Sequence, residues 1–258
     1  MRVRAGSLHA GIRSAVAAAA LGAWAGDARA DAAPPDSATR PPLGKLVFHP
    51  EGPRPGAVAF AAGVLWDYPP QRVVEGQISA FPMAELNLRV GLPLAFAALA
   101  RVQTALVTNE ALLGATWTHV FDDVPGAPSM ALRLLGGAGF GGLVGFGYDA
   151  FLYSFLLRPG LAAGWKWRSQ EVAFTLREDL VLSSAQTGVF GGTATRTATA
   201  RLVGSESALV VENPLHGGGN WYFGAALMIS RASYALWLPF AADEAFVAYP
   251  RFFGGYAF

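Results

Sequence analysis

Residues 132–147 read LRLLGGAGFGGLVGFG, and Gly137, Gly139 and Gly142 within them fit the pattern G-x-G-x-x-G. Between a strand and a helix, that spacing binds a dinucleotide, because the glycines let the backbone approach a pyrophosphate resting on the helix N-terminus. The same unit carries an acid about 20 residues further on for the ribose. Here the run leads into more glycine and then aromatic sequence, and Asp149 follows Gly137 by only 12 residues. No cofactor is expected. The glycines read instead as strand wall and hairpin, where absent side chains permit sharp coiling or leave room for an inward arginine.

Nucleophilic catalysis needs a base such as histidine beside a hydroxyl or an acid. Past the first thirty residues the histidines are His49, His119 and His216. His49 precedes Pro50 in a proline-rich segment, and His216 sits in the loop-like Leu215-His216-Gly217-Gly218-Gly219. His119 shares strand parity with Trp117 and Phe121, which suits an interface rather than a catalytic base. Asp122 and Asp123 stand beside Val124-Pro125-Gly126, where paired acids ordinarily make a polar turn. With no cysteine in the chain, thiolate metal sites and disulfides are excluded. No catalytic or metal-ligating residue is assigned.

The elements that would position any site begin after residue 30. Arg2, Arg4 and Arg13 precede a short apolar run at 15–25, and Ala28-Arg29-Ala30 is an A-x-A site, the order of a secretory signal peptide. Removing residues 1–30 takes four arginines and one aspartate, turning 19 basic and 18 acidic residues into 15 and 17. The net charge moves from +1 to −2, which gives no basic footprint for nucleic acid. Residues 31–56 hold prolines in pairs at 34–35 and 41–42 and read as a flexible periplasmic leader, with a docked plug as the alternative.

Residues 57–258 carry the fold. Charged residues make up 14% of the chain, well below the quarter or so usual for a soluble domain, so membrane residence is the first expectation. A helical span over 134–157 would contain seven glycines, each costing up to about 1 kcal/mol relative to alanine. Strands account for more. Leu86, Leu88 and Val90 alternate with Glu85, Asn87 and Arg89; Phe96, Ala98, Ala100 and Val102 oppose Arg101 and Gln103. Trp165 and Trp167 flank Lys166, and Val172, Phe174 and Leu176 oppose Arg177 and Asp179. Period-two alternation with lipid outside and a polar lumen is the pattern of a transmembrane barrel. A soluble periplasmic β-sandwich that binds a ligand gives the same alternation with more outward charge.

Turn signals at 68–70, 91–93, 109–110, 122–126, 158–160 and 214–220 divide this region into an all-β, antiparallel up-and-down transmembrane β-barrel of about 12 strands, or 10. Glu85, Arg89, Arg101, Arg133, Lys166, Arg168, Arg177, Asp179 and Arg201, with Glu171, are assigned to the lumen. Their surplus of arginine suits either a filled interior or a narrow pore favouring anionic small solutes. Glu178 falls on the lipid side and implies a bulge, a strand end or a shifted register. Trp66 with Tyr68, Trp117 with Phe121, Trp165 with Trp167, Trp221 with Phe223, and Tyr249 with Phe252 are expected in aromatic girdles.

The last residues, Arg251-Phe252-Phe253-Gly254-Gly255-Tyr256-Ala257-Phe258, place Phe252, Gly254, Tyr256 and Phe258 on one strand face. This resembles the closing strand of Gram-negative outer-membrane β-barrel proteins, which end in phenylalanine with an aromatic residue two positions before it. Gly254 departs from the bulky residue usual at that step. The resemblance implies that Phe252, Tyr256 and Phe258 form the signal read by the barrel-assembly machinery. It also implies that the strand closes the barrel against the first one, in the cell outer membrane with its lipid as partner. Some barrels of that superfamily are lipid-acting enzymes, which here would need His119 or His216; a channel or a structural surface protein needs neither.

Overall fold

The computed structural model describes residues 46–258 apart from 71–79, 106–107, 122–126, 146–147, 168–171, 191–192, 198–200, 214–219 and 232–245. Eleven strands run along it: β1 (Val58–Asp67), β2 (Phe81–Gly91), β3 (Phe96–Thr104), β4 (Thr108–His119), β5 (Ser129–Gly145), β6 (Tyr148–Trp167), β7 (Val172–Phe190), β8 (Thr193–Thr197), β9 (Arg201–Glu212), β10 (Asn220–Arg231) and β11 (Phe246–Ala257). Each neighbouring pair is antiparallel, and β6 pairs with β7 while β1 pairs with β11. The ring therefore closes with ten strands. Among the described residues the short β8 pairs with β7 alone, as a hairpin extension.

Ten strands rather than 12 follow from the lengths of β5, β6 and β7, at 17, 20 and 19 residues. A tilted strand needs only about 9–11 residues to cross a bilayer, so these three rise past the rest. The turn expected at 158–160 is not there, because Arg158-Pro159-Gly160 lies inside β6. The ladder from β6 to β7 steps from Leu157↔Leu182 to Gly160↔Asp179 with neither Arg158 nor Pro159 in a pair. A proline, which has no N–H to donate, fits that gap without leaving a broken hydrogen bond. The hairpin from β2 to β3 is tight. Phe96 N–H donates to Pro93 O, and the two central residues, Leu94 and Ala95, have φ of 60° and 62°.

Residues 136–145 belong to β5, so the G-x-G-x-x-G match is sheet wall, and no helix follows it among the described residues. At Gly137 a Cβ would collide with the carbonyl of Ala111 on β4, and at Gly114 with the carbonyl of Leu134 on β5. Glycine is needed there because the coiled wall brings neighbouring backbones too close for a side chain.

Every strand of the ring turns large apolar groups outward. Val64, Leu86, Phe96, Leu113, Leu134, Phe155, Leu180, Leu209, Phe223 and Phe252, one from each, are all more than a third exposed. Aromatic contacts cluster outside at both ends of the wall. Trp117, His119 and Phe121 form one series, with Trp221, Tyr256 and Phe258 at the same end. Tyr68 meets Phe252 at 5.8 Å at the other. Tyr249 is not in a girdle. It is 2% exposed and points inward, since β11 places odd-numbered residues inside.

The C-terminal glycines are accounted for by their neighbours. Tyr222 lies opposite Gly255, and its hydroxyl occupies the space that a Cβ at Gly63 would fill. Phe253 covers Gly224 on the same inner face, and Phe223 covers Gly254 on the outer one. Gly254 thus stands where a bulky residue was expected because the facing Phe223 ring supplies the bulk. At the seam, Phe258 N–H donates to Phe60 O at 2.7 Å.

Candidate functional site in the barrel lumen

The lumen is filled in layers. Toward the end where β2, β4 and β6 finish, side chains from β1, β2, β9, β10 and β11 pack Ala59, Ala61, Leu65, Val210, Tyr222 and Phe253 into one apolar cluster with Val47. Toward the opposite end, Leu112, Leu135, Leu156, Val181, Val203, Met228, Val247 and Tyr249 form a second, drawn from β4–β7 and β9–β11. Charged residues occupy the layer between.

Glu206 is the hub of that layer. It is fully buried and bonded to Arg177; Arg251 lies 2.9 Å away, Arg158 3.5 Å and Arg101 3.8 Å. Each arginine has a further carboxylate. Arg251 grips Asp67 through Nε at 2.6 Å and Nη2 at 2.8 Å; Arg158 reaches Glu110 at 2.9 Å. Arg101 Nε donates to Glu85 at 2.9 Å, and Gln103 donates to the same oxygen at 3.0 Å. Asp179 receives Arg177 at 3.1 Å and Arg133 at 3.3 Å. Removing charges from water is costly enough that such groups persist only when paired and hydrogen-bonded. The spacing supplies this, because alternate residues of neighbouring strands face the same enclosed space.

A plug closes the end nearest the apolar cluster of Val47. Part of the expected flexible leader, residues 46–51, is folded into the barrel. Glu212 accepts the N–H groups of Val47 and His49 at 2.7 Å each and that of Phe48 at 3.2 Å. Arg89 donates to the carbonyls of Val47, His49 and Pro50, and Thr118 donates to Pro50 O at 2.8 Å. Glu51 pairs with Lys166, and the Phe48 ring packs 4.8 Å from that of Tyr222. A run of bends outside any strand has free main-chain donors and acceptors, and here one acid and one arginine satisfy much of both sets. Burial pushes His49 down from 6.5 to about 3, helped by Lys166 and Arg89.

Of the residues assigned to the lumen, Glu85, Arg89, Arg101, Arg177 and Asp179 are buried on the inner face, with Arg133 and Lys166 part-buried beside them. Arg201 is half-buried at the far end of β9, opposite Ser183. Arg168, Glu171, His216, Asp122 and Asp123 lie outside the described residues. His119 lies outside the wall, its ring 4.5 Å from that of Phe121. Glu178 is outward on a regular stretch of β7, opposite Ser207 and bonded to its hydroxyl. The register was right and the residue is an outward acid.

Asp67, Glu110, Arg158, Glu206, Glu212 and Arg251 complete the network and were not singled out from the sequence. Around Glu206, inward Ala208 and Val210 are as apolar as outward Leu209, so alternation gives no signal there. No protein-family model matches the chain, and no curated protein or solved structure matches it either. Fold and site define a class nonetheless: a closed ten-stranded antiparallel β-barrel with a charged, plugged interior.

Proposed function

We propose that this chain is an outer-membrane β-barrel, exported through its N-terminal signal, that stands closed at rest as a structural or surface protein. The observation that carries the reading is the apolar outer face on all ten strands of the ring around a charged interior. Soluble monomers rarely expose contiguous apolar patches beyond a few hundred Å², whereas lipid covers such a belt and the aromatic series at its two ends mark interfaces. Phe252 and Tyr256 on the outer face of β11, with Phe258 just past its end, serve barrel assembly in this reading. The closed state is supported by the two apolar clusters, the arginine layer and the plug.

A narrow channel is the second reading, favoured by the arginines directly beneath the plug. It conducts only when residues 46–51 leave their place, and it prefers anions.

Planar-bilayer recordings separate these readings. The full chain inserts and passes no steady current, and heat-modifiable gel migration accompanies insertion. Steady current from the full chain would overturn the closed state, and a detergent-free soluble monomer would overturn the membrane assignment. Anion-selective current from a variant lacking residues 46–52 marks the channel.

A further inference from the structure

Beneath the plug lies a cavity of about 30 Å³, lined by Asn87, Thr116 and apolar groups and by the arginines Arg89, Arg101, Arg133 and Arg177. Among the described residues no carboxylate lines it. A volume of that size has room for a particle or two of water dimensions.

Among the described residues, four buried donors of the lining have no hydrogen-bond partner: Asn87 Nδ2, Arg89 Nε, Arg101 Nη1 and Arg177 Nε. Asn87 and Arg101 are directly opposed on β2 and β3, so both groups enter the lumen side by side. Their residues are 8% and 5% exposed. A buried N–H without an acceptor costs about 1–3 kcal/mol, and more when it is charged. Two such donors on adjacent residues, facing a space lined by cations, lack an acceptor that carries negative charge.

The lining itself is cationic. Arg89, Arg101, Arg133 and Arg177 line the cavity, while the carboxylates that balance them, Glu212, Glu85, Asp179 and Glu206, stand outside that lining. Arg89 donates through its Nη atoms to the plug's carbonyls. A neutral water would accept hydrogen bonds here, whereas an anion also gains from the guanidinium groups that face the space.

We propose that this cavity is a binding site for one monatomic monovalent anion of the halide class, held by Asn87 Nδ2 and Arg101 Nη1 in the field of Arg89, Arg133 and Arg177. The site is closed by the plug, so anion and plug stabilise each other. It exists whether or not the barrel conducts.

The test uses the full chain folded in detergent micelles, with thermal unfolding followed at constant ionic strength as gluconate is replaced by chloride or bromide. Gluconate is too large for the cavity. The expected result is a saturable rise in the unfolding temperature with halide. Asn87→Leu removes one donor at similar size and raises the half-saturating halide concentration about tenfold, the worth of one such bond. Asn87→Asp puts a carboxylate beside Arg101, so its unfolding temperature in gluconate matches that of the parent in chloride and no longer responds to halide. Anomalous scattering from bromide-soaked crystals of the parent chain reads the site directly, with a peak between Asn87 and Arg101. An unfolding temperature equal in gluconate and chloride would overturn the proposal. So would an undiminished halide response in Asn87→Asp, or a water at the site that bromide does not replace.

Discussion

The carboxylate of Glu212 accepts the main-chain N–H of His49 at 2.7 Å, across 163 residues of sequence. With the N–H groups of Val47 and Phe48 on the same side chain, this one residue fixes the path of the plug. Hydrogen bonds to a charged acceptor are worth about 1.5–3 kcal/mol each, although the three share one carboxylate and are not additive. Glu212→Ala is expected to release residues 47–49 and raise their amide hydrogen exchange by a factor of about 100 or more, with strand amides unchanged. Glu212→Gln keeps one acceptor oxygen and falls between. Equal protection in Glu212→Ala would show that the apolar contacts of Val47 and Phe48 hold the plug alone.

Docking of the plug weakens as the pH falls. The His49 imidazole packs against Gly164, where a Cβ would strike its Nε2, and that nitrogen has no hydrogen-bond partner. Lys166 on β6 and Arg89 on β2 face it with positive charge, Glu51 lies on its own segment, and Glu212 on β9 holds its backbone. Its folded value is depressed from 6.5 to about 3. Released chain therefore binds a proton that docked chain refuses. Stability is full above pH 6.5 and is lost progressively toward pH 3. At pH 4.5, two units below the free value, the loss is on the order of 100-fold in the docking equilibrium. Hydrogen exchange of residues 47–49 against pH checks this, and His49→Gln is expected to flatten the profile between pH 6.5 and 4.5.

The wall was legible in the sequence where one face is polar and the other apolar. β2, β3 and the first half of β7 have the alternation and facing that Glu85, Arg101 and Arg177 indicated. Elsewhere both faces are apolar, because the lumen is packed rather than wet above and below the charged layer. That is why Tyr249 was not recognised as interior, while around Glu206 the outward Ser205 and Ser207 make both faces polar and hide the alternation. Whether the leader is flexible or docks as a plug, the two readings the sequence left open, could not be decided there for a different reason. Phe48-His49-Pro50 has no periodicity of its own, and its conformation is set by Glu212 and Arg89, which are distant in sequence. Pro159 misled in the opposite direction, since its place in a ladder gap depends on β7.

Tyr222 and Gly63 form a second pair whose energetics can be read separately. The Tyr222 hydroxyl is buried without a hydrogen-bond partner and sits where a Gly63 Cβ would be. Removing an unsatisfied buried hydroxyl is neutral or favourable, so Tyr222→Phe is expected to keep or raise the unfolding temperature. Gly63→Ala forces the phenol away and is expected to cost about 1–3 kcal/mol, the usual price of overpacking. Tyr222→Phe should recover part of that cost in the double variant, since the oxygen is the nearest clashing atom. Chemical denaturation of the three variants forms the cycle, and strict additivity would show that the backbone contact with Gly254 dominates instead.

Glu178 discriminates between lipid and water as the outer solvent. It follows Val172, the first residue of β7, by six positions, and Ser207 precedes Glu212, the last of β9, by five. At about 3.3 Å per residue and a tilt near 40°, this places the carboxyl roughly 15 Å into the wall, close to the middle of a 30 Å hydrocarbon layer. Neighbours outward of it are apolar: Leu161 is opposite on β6, and Leu227 lies beyond Ser207 on β10. The Ser207 hydroxyl donates to the carboxylate and offsets part of its desolvation. In lipid, an outward acid at this depth costs something short of the 2–4 kcal/mol measured for lysine and arginine. Glu178→Leu is therefore expected to stabilise the barrel by about 1–2 kcal/mol in phospholipid vesicles, read by denaturant titration. In water the same substitution adds to an exposed apolar surface and gains nothing, so an unchanged or lowered stability in vesicles would argue that this face of β7 does not meet lipid.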